Sequence, residues 1–345
     1  NFGQKSLTYT APTGFVSLQQ DNMPETAKGI SGFTWIKDRD NALNHNSYDS
    51  SNGVFNRLVP NANSAILNTQ GGVSKFLKGG IVVGDTSNVN NSGASMVSWN
   101  WVANKGTTAS NTDGSISSIV QVNTTAGFSI VKYTGTGSNA TIGHGLSLAP
   151  SWIMVKNLSQ DDAWKVYHHK VASDPQTDYL VLNTTGALVD DATVWNDTAP
   201  TSTVFSIGTH TDVNTSSENY VAYCWHGVDG FSKFGKYVGN GVVDGPFVYT
   251  GFKPRFLIIR ATAASNWRLI DTVRNLFNPT SIELYADTAG ADYDMSARGT
   301  DFLSNGFKIR QEAGYGLNNS SQTYIYMAFA EHPFVGDGTN PVTAR

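Results

Sequence analysis

The sequence predicts an all-β protein of tandem antiparallel β-sandwich modules, lectin-like or jelly-roll-like, arranged as a pseudo-repeat. Three observations carry that expectation. A thirteen-residue stretch occurs three times: VNNSGASMVSWNW from Val89, VNTSSENYVAYCW from Val213 and LNNSSQTYIYMAF from Leu317. Runs of four to eight residues rich in Val, Ile, Tyr, Trp and Thr alternate with Asn, Gly, Pro and Asp turns, the pattern of short strands at regular spacing. Helical periodicity is nearly absent, Asp271 to Phe277 being the one place where a helical turn fits.

Each copy of the stretch joins a polar turn, whose Asn and Ser side chains bond their own backbone, to a strand of period 2. Other landmarks keep register with it. An apolar strand ending in a basic residue lies upstream: FTWIK to Lys37, WIMVK to Lys156 and FLIIR to Arg260. From Lys156 to Trp225 is 69 residues, from Arg260 to Phe329 is 69, and from Lys37 to Trp101 is 64. An opening segment, GFSIVKYTGTG from Gly127, is answered by GFSKFGKYVGNG from Gly230 and has no clear counterpart in the first copy. Three copies imply three versions of one structural unit.

In order along the chain, residues 1–29 read as an N-terminal strap or the end of an upstream β-domain, and 30–103 as a trimmed first module. Residues 104–126 read as a linker or a docked strand, 127–226 and 227–334 as the second and third modules, and 335–345 as a tail. The chain begins at Asn1 without Met or signal sequence, as expected of a processed product or part of a longer protein.

Composition narrows the function classes. With 39% apolar and 14% charged residues the chain can bury a core, and its net charge of −4 supplies no basic stripe for nucleic acid. No apolar run reaches the roughly 20 residues that a bilayer crossing needs. The single cysteine, Cys224, excludes an internal disulfide and sits in a repeated strand as a small core residue. Neither a G-x-S-x-G elbow nor a phosphate loop nor a dinucleotide fingerprint is present. The histidines lack the short spacings of a zinc site, and His168 and His169, being adjacent on a strand, point to opposite faces. No metal and no cofactor is expected. The Asp residues fall in turns; an envelope polysaccharide-degrading enzyme, which needs two carboxylates facing across a cleft, is kept as an alternative.

Trp164, eight residues after Lys156, and Trp267, seven after Arg260, occupy matching places. With Asp162 and His168 beside Trp164, they form a candidate glycan site of aromatic faces and polar neighbours. Core packing explains the recurrence as well.

Several runs carry a family resemblance: GFSIVKYTGTGSNATIGHGLSLAPSWIMVKN, TVWNDTAPTSTVFSIG, GPFVYTGFKPRFLIIR, and DFLSNGFKIR with TYIYMAFAEHPF. Together they resemble the repeated β-rich region of tail-fibre-like structural proteins of marine and other tailed bacteriophages. The opening NFGQKSLTYTAPTGFVSL is similar to the segment that follows a SPRY-like, concanavalin-type sandwich in those proteins. The resemblance implies a virion surface component, fibre-like and without a catalytic residue set, that contributes to host attachment. It implies a homotrimer in contact with other virion proteins and with host surface glycans, without membrane insertion. A capsid or tail decoration protein without host binding is the alternative.

Overall fold

The computed structural model describes residues 32–77, 80–103, 108–296 and 298–331; the segments expected as strap (1–29) and tail (335–345) lie outside them. Nearly all regular structure is antiparallel strand, accompanied by three four-residue helices at Ser87–Asn90, Ala192–Trp195 and Thr211–Asn214. No helix forms at Asp271–Phe277. There the Asp271 carboxylate accepts from the backbone N–H groups of Val273 and Arg274, at 3.0 and 2.9 Å, and closes a turn.

The three copies of the thirteen-residue stretch end in the strands Met96–Val102, Asn219–Trp225 and Thr323–Ala330. Each pairs antiparallel with the strand that ends in, or contains, the basic residue: Gly32–Asp38, Trp152–Asn157 and Pro254–Ala261. The register is the same in all three, with Phe33 opposite Trp101, Trp152 opposite Trp225, and Phe256 opposite Phe329. The polar half of the stretch makes the turn. Its fifth residue has positive φ in each copy: 78° at Gly93, 67° at Ser217 and 62° at Ser321. In the second and third copies its buried Asn reaches across to the opening segment. Asn214 donates to the carbonyls of Ser138 and Gly208 at 2.7 Å, and Asn318 to those of Val242 and Gln311 at 2.7 and 2.8 Å. The tyrosine pairs Tyr133–Tyr220 and Tyr237–Tyr324 stack alongside, ring centroids 5.2 and 4.9 Å apart.

Strand alternation distributes side chains to two buried faces. In Trp152–Asn157, Trp152 and Met154 join one cluster while Ile153 and Val155 join another. The second cluster is covered by the two-stranded sheet of Ala140–Gly143 and Val204–Ile207. In the third unit Phe247–Tyr249, Thr300–Leu303 and Gly306–Ile309 form the matching cover over Leu257, Ile259 and Ile270. In the first, the hairpin of Val73–Leu77 and Gly80–Val83 lies over Ile36 and Tyr48. Each unit is therefore a two-layer sandwich. Residues 109–111 and 118–123 add two strands to the edge of the second unit's sheet.

The three units do not keep separate cores on this side: their inner faces share one core. Phe33, Trp101, Trp152, Trp225, Phe256 and Phe329, drawn from all three units, belong to one cluster. The Trp101 ring lies 5.9, 5.8 and 5.8 Å from those of Trp225, Phe256 and Phe329. A face of Trp, Phe and Met is too apolar to be left wet, and three such faces are buried at once by turning them inward.

Two sets of hydrogen bonds close the arrangement into a ring. Ile66 N–H donates to Leu158 O (3.1 Å), Leu188 N–H to Thr262 O (2.8 Å) and Asp292 N–H to Arg39 O (2.7 Å). The acceptors lie two residues beyond Lys156, Arg260 and Lys37, so the second unit holds the first, the third holds the second, and the first holds the third. The other set uses ring nitrogens. Trp164 Nε1 donates to Val59 O at 3.1 Å and Trp267 Nε1 to Val181 O at 2.8 Å. The corresponding position in the first unit, eight residues after Lys37, is His45. Its Nδ1 accepts from Trp35 Nε1 at 2.9 Å, which leaves Nε2 to carry the proton and donate to Tyr285 O at 3.0 Å.

Candidate functional site

Of the residues expected to bind sugar, Trp164 and Trp267 hold the ring together instead. Trp164 and Trp267 are 0% exposed and His168 is 1% exposed, so none offers a face to a ligand. His168 packs edge-on to Trp152 at 5.4 Å, and burial drives its pKa well below the usual value, keeping the imidazole neutral. Asp162, half-buried, accepts from Asn157 Nδ2 at 2.6 Å, and its backbone carbonyl accepts from Lys156 Nζ at 2.9 Å. The glycan-site expectation is corrected for Trp164, Trp267 and His168, which are buried, and Asp162 is left without the aromatic face it was to accompany: the Trp position recurs because it is a core position, and Trp supplies both bulk and a donor there.

The basic residue that ends the apolar strand is likewise internal. Lys156 is buried and donates to the carbonyls of Asn63 (3.0 Å), Gln160 (3.2 Å) and Asp162. Burial lowers its pKa to about 8. Arg260 bonds Gly186 O and Ala263 O, and Lys37 bonds Asp38 O and Asn41 O. Each cation satisfies loop carbonyls, and Lys156 and Arg260 do so across a seam between units. Cys224 is 0% exposed, and burial raises its thiol pKa. Among the described residues no three His, Cys, Asp or Glu are grouped to hold a metal ion, and no helix is long and apolar enough to cross a membrane.

The seams between units expose matching positions with different chemistry. Ser51, Lys170 and Val273 follow the buried cation by 14, 14 and 13 residues. At the first seam Lys132 Nζ donates to Ser51 O at 3.3 Å, while the hydroxyls of Ser50 and Ser51 bond Gln121 at 2.6 and 2.9 Å. That seam is sealed by polar contacts.

At the second seam two adjoining cavities of about 400 and 550 Å³ share Lys233 and Tyr249. Lys170, Lys233 and Lys236 line them, with His169 at one end, and Asp229 is the one carboxylate on either lining. Lys233 Nζ donates to Tyr249 O at 2.9 Å and lies 5.0 Å from the Tyr249 ring centroid. Its pKa is lowered by partial burial and by the neighbouring charge of Lys170. Tyr249 and Phe247 are 59% and 46% exposed and stand on one side of the Phe247–Tyr249 strand. Gly235 lets the Tyr326 ring pack against the strand there, since a Cβ would come within 2.5 Å of Tyr326 Oη. These lysines are scattered in sequence, and the only sequence signal for the site was the alternation in Phe247-Val248-Tyr249 that sets two aromatics on one face.

At the third seam the described residues of the first unit include no opening strand. Among the described residues its sheet has three strands and ends at Met96–Val102, whereas Asn219–Trp225 and Thr323–Ala330 each have a partner on both sides. Phe128 stacks on Trp225 at 4.9 Å and Phe234 lies edge-on to Phe329 at 6.2 Å. Among the described residues no ring takes that place on Trp101, and a cavity of about 480 Å³ opens there, lined by Trp99, Trp101, Phe256 and Phe329 with Arg255 and Asp271.

Comparison with curated proteins and with solved structures returns no match. One family model matches residues 18–333, nearly the whole chain, so the protein belongs to the family described as a domain of unknown function, DUF7483.

Proposed function

We propose that this chain is a bacteriophage virion structural protein, fibre-like, displayed on the particle surface and contributing to host attachment. The observation that carries the reading is the closed ring, in which conspicuous polar side chains such as Lys156, Trp164, Trp267 and His45 serve to lock units together. What is left for function is the seams, and scaffolds of this kind present recognition surfaces on a rigid frame. The sequence resemblance supplies the virion context. The reading is non-enzymatic. The buried carboxylates are committed to structural partners, Glu283 to Arg268, Asp271 to Arg274 and Asp49 to the Tyr223 hydroxyl. No cavity described above carries two carboxylates on its lining, as glycoside hydrolysis needs.

Homotrimeric assembly and contact with other virion proteins belong to the same proposal. A decoration role without host binding is favoured by one observation, the Met96–Val102 strand, which has no outer partner among the described residues and lies beside an aromatic cavity, a form suited to receiving a strand of another virion protein. Immunogold labelling of intact particles separates the two. Label at the distal tail is expected for attachment, label over the head would replace attachment by decoration, and absence from the particle would end both.

A further inference from the structure

We propose that the groove at the second seam is a binding site for an anionic polysaccharide. Lys170, Lys233 and Lys236 hold its acidic groups, and Tyr249 and Phe247 support its sugar rings. The biological source of the ligand rests on the attachment reading above; the chemistry rests on the groove.

Three features carry it. The first is charge: a chain of net −4 gathers three lysines around a single carboxylate. Among the described residues none of the three lysines forms an ion pair. Like charges held together repel, and a cleft lined by one sign concentrates ligands of the other. The second is the pair of exposed rings. Their flat apolar faces suit the C–H faces of a pyranose, and the register places Gly306, without a side chain, opposite Tyr249. Lys233 against the Tyr249 ring fixes a cation beside that face. The third is comparison within the ring. The position of Lys170 is Ser51 at one seam and Val273 at another, and Lys236 corresponds to Lys132, which at the first seam is tied to a backbone carbonyl. Neither lysine is needed to close a seam. Sugars are favoured over nucleic acid because three lysines neutralise few phosphates, whereas the exposed rings match a repeating sugar chain.

The test is calorimetric titration of the full chain with polygalacturonate, dextran sulfate, neutral dextran and duplex DNA. Polygalacturonate or dextran sulfate is expected to bind, the tighter of the two identifying the preferred anion, with affinity falling as salt rises from about 50 to about 500 mM. Neutral dextran is expected not to bind. The double variant Lys170→Ser/Lys236→Ser should weaken binding by about tenfold or more, and Tyr249→Ala by several-fold, with unchanged thermal melting because all three side chains are exposed. Binding unaffected by these variants, tighter binding of DNA, or no binding to either acidic polymer overturns the site. Tail label without polysaccharide binding would remove the site and leave attachment standing. Polysaccharide binding by a protein absent from particles would keep the site and remove attachment.

Discussion

Acid should loosen the ring through His45, and the size of the effect follows from its surroundings. The imidazole is 0% exposed, accepts from Trp35 Nε1 and donates to Tyr285 O, so both nitrogens are committed to the neutral form. Burial, reinforced by the nearby Lys37 charge, lowers its pKa to about 3 from 6.5. Between those values the unfolded chain binds a proton that the folded chain refuses, so stability rises with pH through that window and is lost as pH falls from 6.5 towards 3. Going from pH 7 to pH 5 should cost about 2 kcal/mol from this residue alone. Burial also lowers the pKa of His144, to about 4, and of His168, so the total acid loss is larger. The variant His45→Gln isolates the contribution, because its amide can accept from Trp35 and donate to Tyr285 O yet cannot titrate. Urea unfolding of both proteins at pH 7 and pH 5 gives two drops in stability. The wild-type drop should exceed the variant's by about 2 kcal/mol; drops equal within about 0.5 kcal/mol would refute the assignment of His45 as a buried neutral link.

Other expectations come from the same contacts. Trp164→Phe keeps most of the bulk and removes one of the two hydrogen bonds to Val59 O, the other coming from Ala62 N–H, which should cost about 0.5–1.5 kcal/mol in urea unfolding; an unchanged midpoint would mean the seam bond contributes nothing. Arg268→Met leaves the Glu283 carboxylate, 0% exposed, without its main partner and should cost about 3–5 kcal/mol. The double variant Arg268→Met/Glu283→Leu should recover much of that loss, and failure to recover would place the cost in lost packing. Cys224 should ignore a thiol reagent in the native protein and react fully in urea, since burial both shields it and raises its pKa; fast native reaction would contradict its place in the core.

Much of the local structure could be read from the chain, because strand alternation and turn chemistry act over a few residues. The two-layer, all-β character is of this kind: Ile153 and Val155 face one way, Trp152 and Met154 the other. The association of the layers is not, since a pattern reports that a face is buried and never what covers it; FTWIK, WIMVK and FLIIR read equally well as cores of separate sandwiches. Trp164 and Trp267 could be matched by spacing, yet their third equivalent went unseen because it is His45. A donor to a carbonyl was the shared requirement, and two residue types meet it. The groove was illegible for another reason. Lys170 comes from one unit and Lys233, Lys236 and Tyr249 from the next, and contacts between units such as Leu188–Thr262 and Trp267–Val181 bring the two together. At Asp271 the apolar spacing that suggested a helical turn was overruled by a carboxylate that captured two backbone N–H groups.

Carrying the whole ring on one polypeptide has an evolutionary consequence. When three identical chains make such a ring, every substitution appears three times, so a residue good for one seam is imposed on all of them. Fusion removes that constraint. Ser51, Lys170 and Val273 show three independent edits of one location, a bolt, a charged slot and an oily notch. Under the attachment reading proposed above, selection acting on a changing cell surface can thus rewrite the middle one while the closures at the other two stay as they are.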